Sequence, residues 1–239
     1  MKLSLKWVSC AALFLALFSP LSLWAAKCTS ATLLPGDYSY AIMGQDVQVH
    51  VPAGYTDKTP APVLFDLHGA GGTGETEMWS SGFLSLSDKY GFIAVWPSGP
   101  NKYWACLGCS WDQNSVDDDV SLIRLAVDQI RRVANVDRSR IYVTGISMGG
   151  AMTNTLVCKT DDIFAAAAPV AFQLTASPSL CVPTRPIAIM EFHGYRDDIV
   201  PYNGSADLGL PSAETSLDHW AQIMGCSGEP EITILSDGY

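Results

Sequence analysis

Short apolar runs alternate with segments of helical periodicity along most of the chain. Runs rich in β-branched and aromatic residues predict buried strands, whereas amphipathic stretches predict helices. The predicted strands cover residues 38–42, 47–51, 63–67, 92–96, 140–144, 164–170, 187–192 and 231–235. The predicted helices cover residues 75–90, 120–133, 151–158 and 212–224. Strands that alternate with helices over short connections favour an α/β fold, with a mostly parallel sheet covered by helices on both faces.

An acidic run adds a capping signal to this pattern. Asp117, Asp118 and Asp119 directly precede the predicted helix 120–133. We interpret them as its cap, because carboxylates are favourable at the positive end of a helix dipole. Metal binding is the alternative, but adjacent residues at a helix start point in different directions, which argues against a shared ion.

The composition suits one large domain. The chain has 239 residues, of which 48% are hydrophobic, enough for a sizeable core. Its formal net charge of −10 argues against nucleic acid or an anionic membrane surface as a partner. No internal repeat or low-complexity tract divides the sequence. We therefore expect a single α/β domain over residues 27–239, and a monomer.

The first 26 residues have the pattern of a secretory signal peptide. Lys2 and Lys6 precede an apolar stretch over residues 7–18, and small residues end the segment at Ala25 and Ala26. The alternative is an uncleaved anchor helix, but a proline and several serines make the apolar run short for spanning a membrane. We expect a secreted protein, extracellular or periplasmic, without membrane attachment after cleavage.

Cysteine usage agrees with export. Without the leader, the remaining cysteines are Cys28, Cys106, Cys109, Cys158, Cys181 and Cys226. An even number in an exported chain favours disulfides, although spacing does not determine their connectivity. Cys106 and Cys109 fit either a local bridge or two separate bridges, and Cys158 could pair with Cys181. No histidines cluster with these cysteines, so zinc is disfavoured, and we expect neither metal nor cofactor.

The most informative stretch is Gly-Ile-Ser-Met-Gly at residues 145–149, between the predicted strand 140–144 and helix 151–158. A G-x-S-x-G motif in this setting is typical of the nucleophile elbow of α/β-hydrolases. The glycines are required because side chains there would collide with the neighbouring strand and helix. Such a turn exposes Ser147 Oγ and places the Met148 N–H at a helix start, where it can stabilise an oxyanion.

A glycine-rich loop follows the predicted strand 63–67 and begins at His68. Its spacing matches neither a dinucleotide-binding fingerprint nor a phosphate-binding loop. We interpret it as the source of the second oxyanion N–H, donated by Gly69, Ala70 or Gly71. His68 is interpreted as a brace for this loop rather than as a base.

Aromatic side chains offer candidate substrate contacts. Trp104 and Trp111 lie in a long loop over residues 97–116, and long loops inside domains tend to be functional. Packing under a disulfide-tied loop is an equal alternative for both tryptophans. We add Tyr195 as a third candidate. His50, on the polar side of the predicted strand 47–51, is interpreted as an exposed bystander.

A serine nucleophile needs a base, and the base needs a carboxylate that orients it. In α/β-hydrolases the chain order is serine, acid, histidine. Asp197 follows the predicted strand 187–192 and is the preferred acid, whereas Asp198 is more simply explained as solvated. Only His219 follows Asp197, and it lies within a predicted helix rather than on a loop after the last strand. We therefore expect this sequence to be truncated before its catalytic histidine, and to be a poor esterase or inactive.

Several longer stretches resemble a known family. They are residues 67–69, 116–120, 137–150, 164–166, 168–171 and 193–194, together with Asp197, Val200, Pro201 and Tyr202. On these residues the chain resembles the extracellular poly(3-hydroxybutyrate) depolymerase-like esterases, a group that includes feruloyl and acetylxylan esterases of carbohydrate esterase family 1. The resemblance runs from about residue 38 to the C-terminus. It implies an α/β-hydrolase fold with Ser147 as nucleophile, Asp197 as acid and the Met148 N–H as oxyanion donor.

The resemblance also implies a reaction. It is acyl transfer through an acyl-enzyme, without metal or organic cofactor, on feruloyl or acetyl esters of plant polysaccharide or on a poly(3-hydroxybutyrate)-type polyester. Two alternatives come from other classes. One is a serine peptidase, since prolyl-oligopeptidase-type enzymes share the elbow. The other is a non-catalytic binding protein built on a hydrolase fold.

Overall fold

A single twisted sheet of seven strands lies at the centre of the computed structural model, which describes residues 32–109 and 114–233. The strands are β1 (Gly36–Ile42), β2 (Gln45–Val51), β3 (Ala61–Leu67), β4 (Ile93–Pro97), β5 (Val136–Ile146), β6 (Ala166–Val170) and β7 (Ala188–Ile189). Their order across the sheet is β1-β2-β4-β3-β5-β6-β7. The pairs β1–β2 and β2–β4 are antiparallel, and the other four pairs are parallel. The predicted, mostly parallel sheet is confirmed.

α-Helices lie in three of the six connections between consecutive strands, and one more follows β7. They are α1 (Gly74–Ser80), α2 (Phe83–Tyr90), α3 (Val116–Val133), α4 (Met148–Lys159) and α5 (Ala213–Met224). The single helix predicted over residues 75–90 is wrong, because Gly82 adopts a φ of +78° and separates α1 from α2. A left-handed residue cannot continue a right-handed helix, and glycine adopts that conformation at little cost.

Helix α3 begins four residues earlier than the sequence predicts, and its cap is not the aspartate run. Ser115 is the N-cap, and its side chain accepts a hydrogen bond from the Asp118 N–H over 3.3 Å. Asp117 and Asp118 lie in the first turn and are exposed. Asp119 is buried, and its Oδ2 accepts the Ala105 N–H over 2.7 Å, which fastens the preceding loop to the helix.

The variant Ser115→Ala is expected to lower the free energy of unfolding by about 1 kcal/mol, because it removes the acceptor for an N–H in the first turn. Ser121→Ala is the matched control on the same helix, since the Ser121 hydroxyl only donates back to Asp117 O within the helix. Urea denaturation of both variants measures the difference. Equal midpoints for the two variants would contradict the assignment of Ser115 as the cap.

The main core lies on the sheet face covered by α3 and α4. Phe65, Leu67 and Val143, which alternate along β3 and β5, pack there with Ile123 of α3 and Met152 of α4. Helices α1 and α2 lie against the opposite face near β2 and β4, where Met78 packs on Trp96. Helices therefore lie on both faces, as predicted.

The second face is only partly covered by the described residues. An apolar groove of about 620 Å³ runs over the parts of β3, β5, β6 and β7 that α1 and α2 do not reach. Ile146, Met190 and Phe192 line it and are exposed. Two acidic side chains, Asp66 and Glu77, lie at the end nearest α1. Parallel strands are normally covered on both faces, so this is the least protected part of the core.

The last two predicted strands are shorter in the structure. Residues 187–192 form only β7 and an isolated parallel bridge between Phe192 and Val170. Residues 231–233 have no regular secondary structure, and residues 234–235 lie outside the described part of the chain. Within the described residues, no helix has the length and apolar character that crossing a membrane requires.

The described part of the chain contains two disulfides. One joins Cys106 to Cys109, which is the local bridge among the predicted alternatives, and the other joins Cys158 to Cys181 as predicted. Among the described cysteines, Cys226 forms no disulfide and is exposed. Cys28 and the predicted signal peptide lie outside the described residues.

The interpretation of His50 as an exposed bystander is wrong. Only 8% of the residue is exposed. Its Nδ1 lies 2.6 Å from Asp37 Oδ1 and its Nε2 lies 3.2 Å from Asp88 Oδ1. The Asp88 carboxylate also accepts the Ala53 N–H, and these hydrogen bonds hold its pKa below the ordinary value. His50 therefore links β1, β2 and α2.

Candidate active site

Ser147 lies at the tip of a sharp turn between β5 and α4. Its backbone has a φ of +55° and a ψ of −119°, a combination that costs a non-glycine residue of order 1–3 kcal/mol. The neighbouring elements hold it there. The Ser147 N–H donates to Val170 O on β6 over 2.9 Å, and its carbonyl accepts the Ala151 N–H over 3.0 Å. The half-buried side chain is thereby set on a strained turn, as the motif predicts.

The glycines of the motif permit close backbone contacts. A Cβ at Gly145 would lie 2.6 Å from Gly149 O, and one at Gly150 would lie 2.7 Å from Val170 O. A Cβ at Gly149 would overlap the carbonyl group of Leu67, the last residue of β3. Helix α4 therefore begins in direct backbone contact with β3, and this contact places its N-terminus beside the loop that follows that strand.

His68 holds that loop from inside the protein. The residue is fully buried, and the Gly99 N–H donates to its Nε2 over 2.9 Å. Nε2 is thus the acceptor, so the proton lies on Nδ1, which donates to Gly69 O over 2.7 Å. Burial lowers the pKa of His68, which keeps the imidazole neutral. The prediction that His68 braces the loop is confirmed.

The structure places Gly69 beside the nucleophile. A Cβ at Gly69 would lie 3.6 Å from Ser147 Cβ, so this backbone lies against the elbow. The Gly71 N–H donates to Lys102 O over 2.8 Å, and the Gly72 N–H donates to Gly69 O over 3.1 Å. Both N–H groups already donate a hydrogen bond to a backbone carbonyl, so neither is available to an oxyanion. Of the three residues considered from the sequence, Gly69 and Ala70 are left as the second oxyanion donor.

The aromatic candidates have different positions. Trp104 is fully buried, donates from Nε1 to His68 O over 3.1 Å, and packs its ring 5.1 Å from the imidazole. The prediction that Trp104 contacts substrate is wrong, because the loop needs this side chain as its support. Tyr195 is 74% exposed, its ring lies 5.3 Å from that of Tyr202, and its role stays a prediction. Trp111 lies outside the described residues.

Asp197 lies in a tight turn that orients its carboxylate. Oδ1 accepts the N–H groups of Ile199 and Val200, each over 2.9 Å, and the side chain is 19% exposed. Oδ2 accepts no hydrogen bond from the residues that the structure describes, and it lies 3.9 Å from His193 Nε2. Asp198 is exposed, as expected for a solvated residue. The geometry thus favours Asp197 over its neighbour as an orienting acid.

The turn that contains Asp197, named the acid turn here, is attached to the same edge of the sheet as the nucleophile. Phe192 bridges Val170, and the Ala171 N–H donates to Phe192 O over 2.8 Å. Val170 in turn accepts the Ser147 N–H. The carboxyl ends of β3, β5, β6 and the Phe192 bridge therefore meet at one edge, where ligands bind in open α/β sheets.

None of the histidines, all of which are described, is placed as a base. Both ring nitrogens of His50 face aspartates, and those of His68 are used by the loop. His193 Nε2 donates to the Val200 carbonyl over 2.8 Å. His219 lies in the middle of α5, without a hydrogen bond to the serine or the acid among the described residues. In the described ranges, no group of three or more His, Cys, Asp or Glu side chains is arranged to hold a metal ion.

One buried polar cluster is not among the predicted site residues. The side chains of Glu191 and His193 are only 2% and 3% exposed, directly below the acid turn. Glu191 Oε2 accepts from Ser216 Oγ on α5 over 2.8 Å. Burial raises the pKa of the Glu191 carboxyl. The available signal was a lone glutamate within an otherwise apolar strand pattern, since such a residue needs a buried partner.

Comparison with known proteins identifies the fold and its relatives. A family model described as the prolyl oligopeptidase family matches residues 103–176, which include the elbow. Over 203 residues the chain is 35% identical to feruloyl esterase B of Piromyces equi, covering 77% of the chain and 36% of that protein. The chain belongs to the feruloyl and acetylxylan esterase-like α/β-hydrolases.

Two further comparisons, one of sequence and one of fold, agree with these findings. This chain is 28% identical over 159 residues to the bifunctional acetylxylan esterase/xylanase XynS20E of Neocallimastix patriciarum, covering 66% of the chain and 22% of that protein. The structure of acetyl xylan esterase from Aspergillus awamori superposes with a TM-score of 0.65 at 19% identity, covering 80% of each chain. That similarity confirms the predicted α/β-hydrolase fold. The chain spans about a third of the Piromyces equi protein, so it matches only part of that relative.

Proposed function

We propose that this chain carries the nucleophile, the acid and the oxyanion donors of a secreted serine carboxylic-ester hydrolase. The observation that supports this most directly is the strained Ser147 turn, packed against Gly69 and bonded to the strand beside the Asp197 turn. The two disulfides and the relatives are consistent with an extracellular protein.

In the proposed reaction Ser147 Oγ attacks the ester carbonyl carbon while a base removes its proton. The oxyanion that forms accepts hydrogen bonds from the Met148 N–H and from the Gly69 or Ala70 N–H. The base returns the proton to the departing alcohol, which leaves the acyl group on Ser147. Water then attacks this ester and releases the acid. Asp197 Oδ2 orients the base and stabilises its protonated form.

We propose that the base is none of the four histidines of this sequence; the contacts described above support this. We propose that the whole protein supplies a further histidine to Ser147 and Asp197. The chain alone then holds two members of the triad, and its activity is limited by the missing proton acceptor.

The proposed substrates are feruloyl or acetyl esters of plant polysaccharide. The names of the relatives, a feruloyl esterase and a bifunctional acetylxylan esterase/xylanase, support this class. The exposed ring of Tyr195, beside the acid turn, is proposed to contact the acyl or sugar group. A poly(3-hydroxybutyrate)-type polyester is the alternative ester.

Added imidazole tests this proposal, because a diffusing base can replace a missing one. Imidazole is expected to raise methyl ferulate hydrolysis by this chain about tenfold, part of the roughly 10²–10⁴-fold that a positioned base contributes. Released ferulate is quantified by chromatography, and the protein-free rate with imidazole is subtracted. Ser147→Ala is the control and should show no imidazole-dependent rate. Equal rates for the variant and the parent chain would contradict Ser147 as the nucleophile.

A serine peptidase is the second candidate function, supported by the match of residues 103–176 to the prolyl oligopeptidase family. The same imidazole experiment with a proline-containing peptide anilide distinguishes the two. Preference for the anilide over methyl ferulate would favour the peptidase. If neither substrate is cleaved and a fluorophosphonate does not label Ser147 even with imidazole, a non-catalytic binding protein is favoured.

A further inference from the structure

The polar cluster below the acid turn contains two facing atoms without a hydrogen-bond partner. Glu191 Oε1 and His193 Nδ1 are both buried, lie 3.8 Å apart, and find no partner among the described residues. The other atom of each side chain is already engaged. Glu191 Oε2 accepts from Ser216 Oγ, and His193 Nε2 lies 2.8 Å from Val200 O. The cluster is therefore complete except at this one contact.

The partner of His193 Nε2 fixes where its proton lies. A carbonyl oxygen can only accept a hydrogen bond, so Nε2 must carry a proton that it donates to Val200 O. In the neutral ring Nδ1 would then have a lone pair. This lone pair would face a carboxylate oxygen inside the protein, and two buried acceptors without a donor are strongly unfavourable.

We propose that the Glu191–His193 pair holds one buried proton, carried on Nδ1 or on Oε1, and that this pair positions the acid turn of Asp197. Both side chains act through Asp197 and are positioning residues. With the proton present, Nδ1 and Oε1 form a charge-assisted contact, and the ring is held with Nε2 toward Val200 O. The role of Asp197 as the acid rests on the proposed function.

Three contacts connect the pair to the acid turn. His193 Nε2 fixes the Val200 carbonyl, while the Val200 N–H donates to Asp197 Oδ1. The same Nε2 lies 3.9 Å from Asp197 Oδ2. The His193 ring packs edge-on against Tyr202, with the ring centroids 5.8 Å apart. A change in the orientation or charge of His193 should therefore reach the carboxylate of Asp197 directly.

Nitrogen NMR of the full chain, labelled with ¹⁵N-histidine, tests the buried proton. The His193 resonances are assigned by replacing the other histidines one at a time. In the parent chain Nδ1 is expected to show the signature of a protonated or strongly hydrogen-bonded nitrogen. In Glu191→Leu it should become a free, unprotonated acceptor, while Nε2 keeps its proton. Glu77→Leu is the matched control, because it removes a partly buried carboxyl beside Asp66, and it should leave His193 unchanged.

Amide exchange tests the effect on the acid turn. Glu191→Leu is expected to speed exchange of the Ile199 and Val200 N–H groups about tenfold, as for the loss of about one hydrogen bond. Glu191→Gln should restore most of the protection, because its amide can donate to Nδ1. If Glu191→Leu does not fold, the NMR spectrum of the parent chain and the amide exchange of Glu191→Gln test the proposal without it.

A free Nδ1 in the parent chain would overturn the proposal. So would a leucine variant with an unchanged His193 and unchanged exchange. Neither readout depends on ester hydrolysis, so a failure here is distinguishable from a failure of the proposed function.

Discussion

Gly149→Ala is expected to lower the free energy of unfolding by about 3 kcal/mol or more, the upper part of the range for overpacked sites. The added Cβ would overlap the Leu67 carbonyl group and come within 2.8 Å of His68 O. Both are backbone groups at the end of β3, so no side-chain rotation relieves the clash. Helix α4 would have to separate from the sheet, and Ser147 would move with it.

Gly54→Ala is the matched control, since nothing lies within 4 Å of a Cβ at that position. It is expected to change stability by less than about 0.5 kcal/mol, as surface substitutions usually do. Urea denaturation at one pH compares both variants with the parent chain. A Gly149→Ala protein as stable as Gly54→Ala would show that α4 does not depend on this backbone contact.

The elbow and its loop were predictable because their signals are local. Glycines at positions 145 and 149, between a β-branched strand and a helix, permit the close backbone contacts of a sharp turn. The glycine-rich run after β3 likewise indicates a loop, and the structure places Gly69 of that loop beside Ser147. The preference for Asp197 over Asp198 likewise came from its place in the loop, although its catalytic role stays a proposal.

The helix boundaries were harder to predict, although the sequence contains a signal for two that were predicted wrongly. Gly82 interrupts residues 75–90 with a positive φ, although apolar periodicity continues on both sides. Ser115 is followed three residues later by Asp118, which is a capping pattern, yet the adjacent aspartates gave a stronger composition signal. Periodicity identifies the face of a helix but not where the helix begins.

Other features depend on residues far apart in the chain. His50 is buried because Asp88, on α2, reaches it across 38 positions. Trp104 is a support because His68 lies behind the oxyanion loop, and Glu191 is tolerated because α5 brings Ser216 to it. The local sequence around each of these three side chains is equally consistent with an exposed position. Only the tertiary neighbours decide between them.

The second large effect concerns the acidic end of the open groove. Asp66, 3% exposed on β3, accepts the Trp96 Nε1–H over 2.9 Å. Burial raises the pKa of Asp66 to about 6, although hydrogen bonds from Ser81 and Trp96 act to lower it. Burial and the charge of Asp66 raise the pKa of Glu77 to about 7. Both carboxyls therefore hold protons more tightly in the folded chain than in the unfolded one.

The sign of the pH dependence follows from these raised pKa values. The unfolded carboxyls lose their protons near pH 4, whereas the folded ones keep them until about pH 6 to 7. Their contribution to stability is fully present below pH 4 and is lost as the pH rises to about 7. The free energy of unfolding should fall over this interval, unlike that of a protein whose acids are salt-bridged.

Asp66→Asn should remove about half of this dependence, because Glu77 keeps the rise in its pKa that burial causes. The variant keeps the shape of the side chain and the acceptor for Trp96. The variant is expected to match the parent chain at pH 4 and to exceed its free energy of unfolding by about 2 kcal/mol at pH 8, since one pKa unit corresponds to about 1.4 kcal/mol. Urea denaturation at both pH values measures this, with Asp57→Asn at an exposed site as the control. An Asp66→Asn protein that is no more stable than the control at pH 8 would mean that water or a counter-charge reaches Asp66 through the groove. The groove would then stabilise its ionised form, and the open face of the sheet would be more hydrated than its apolar lining indicates.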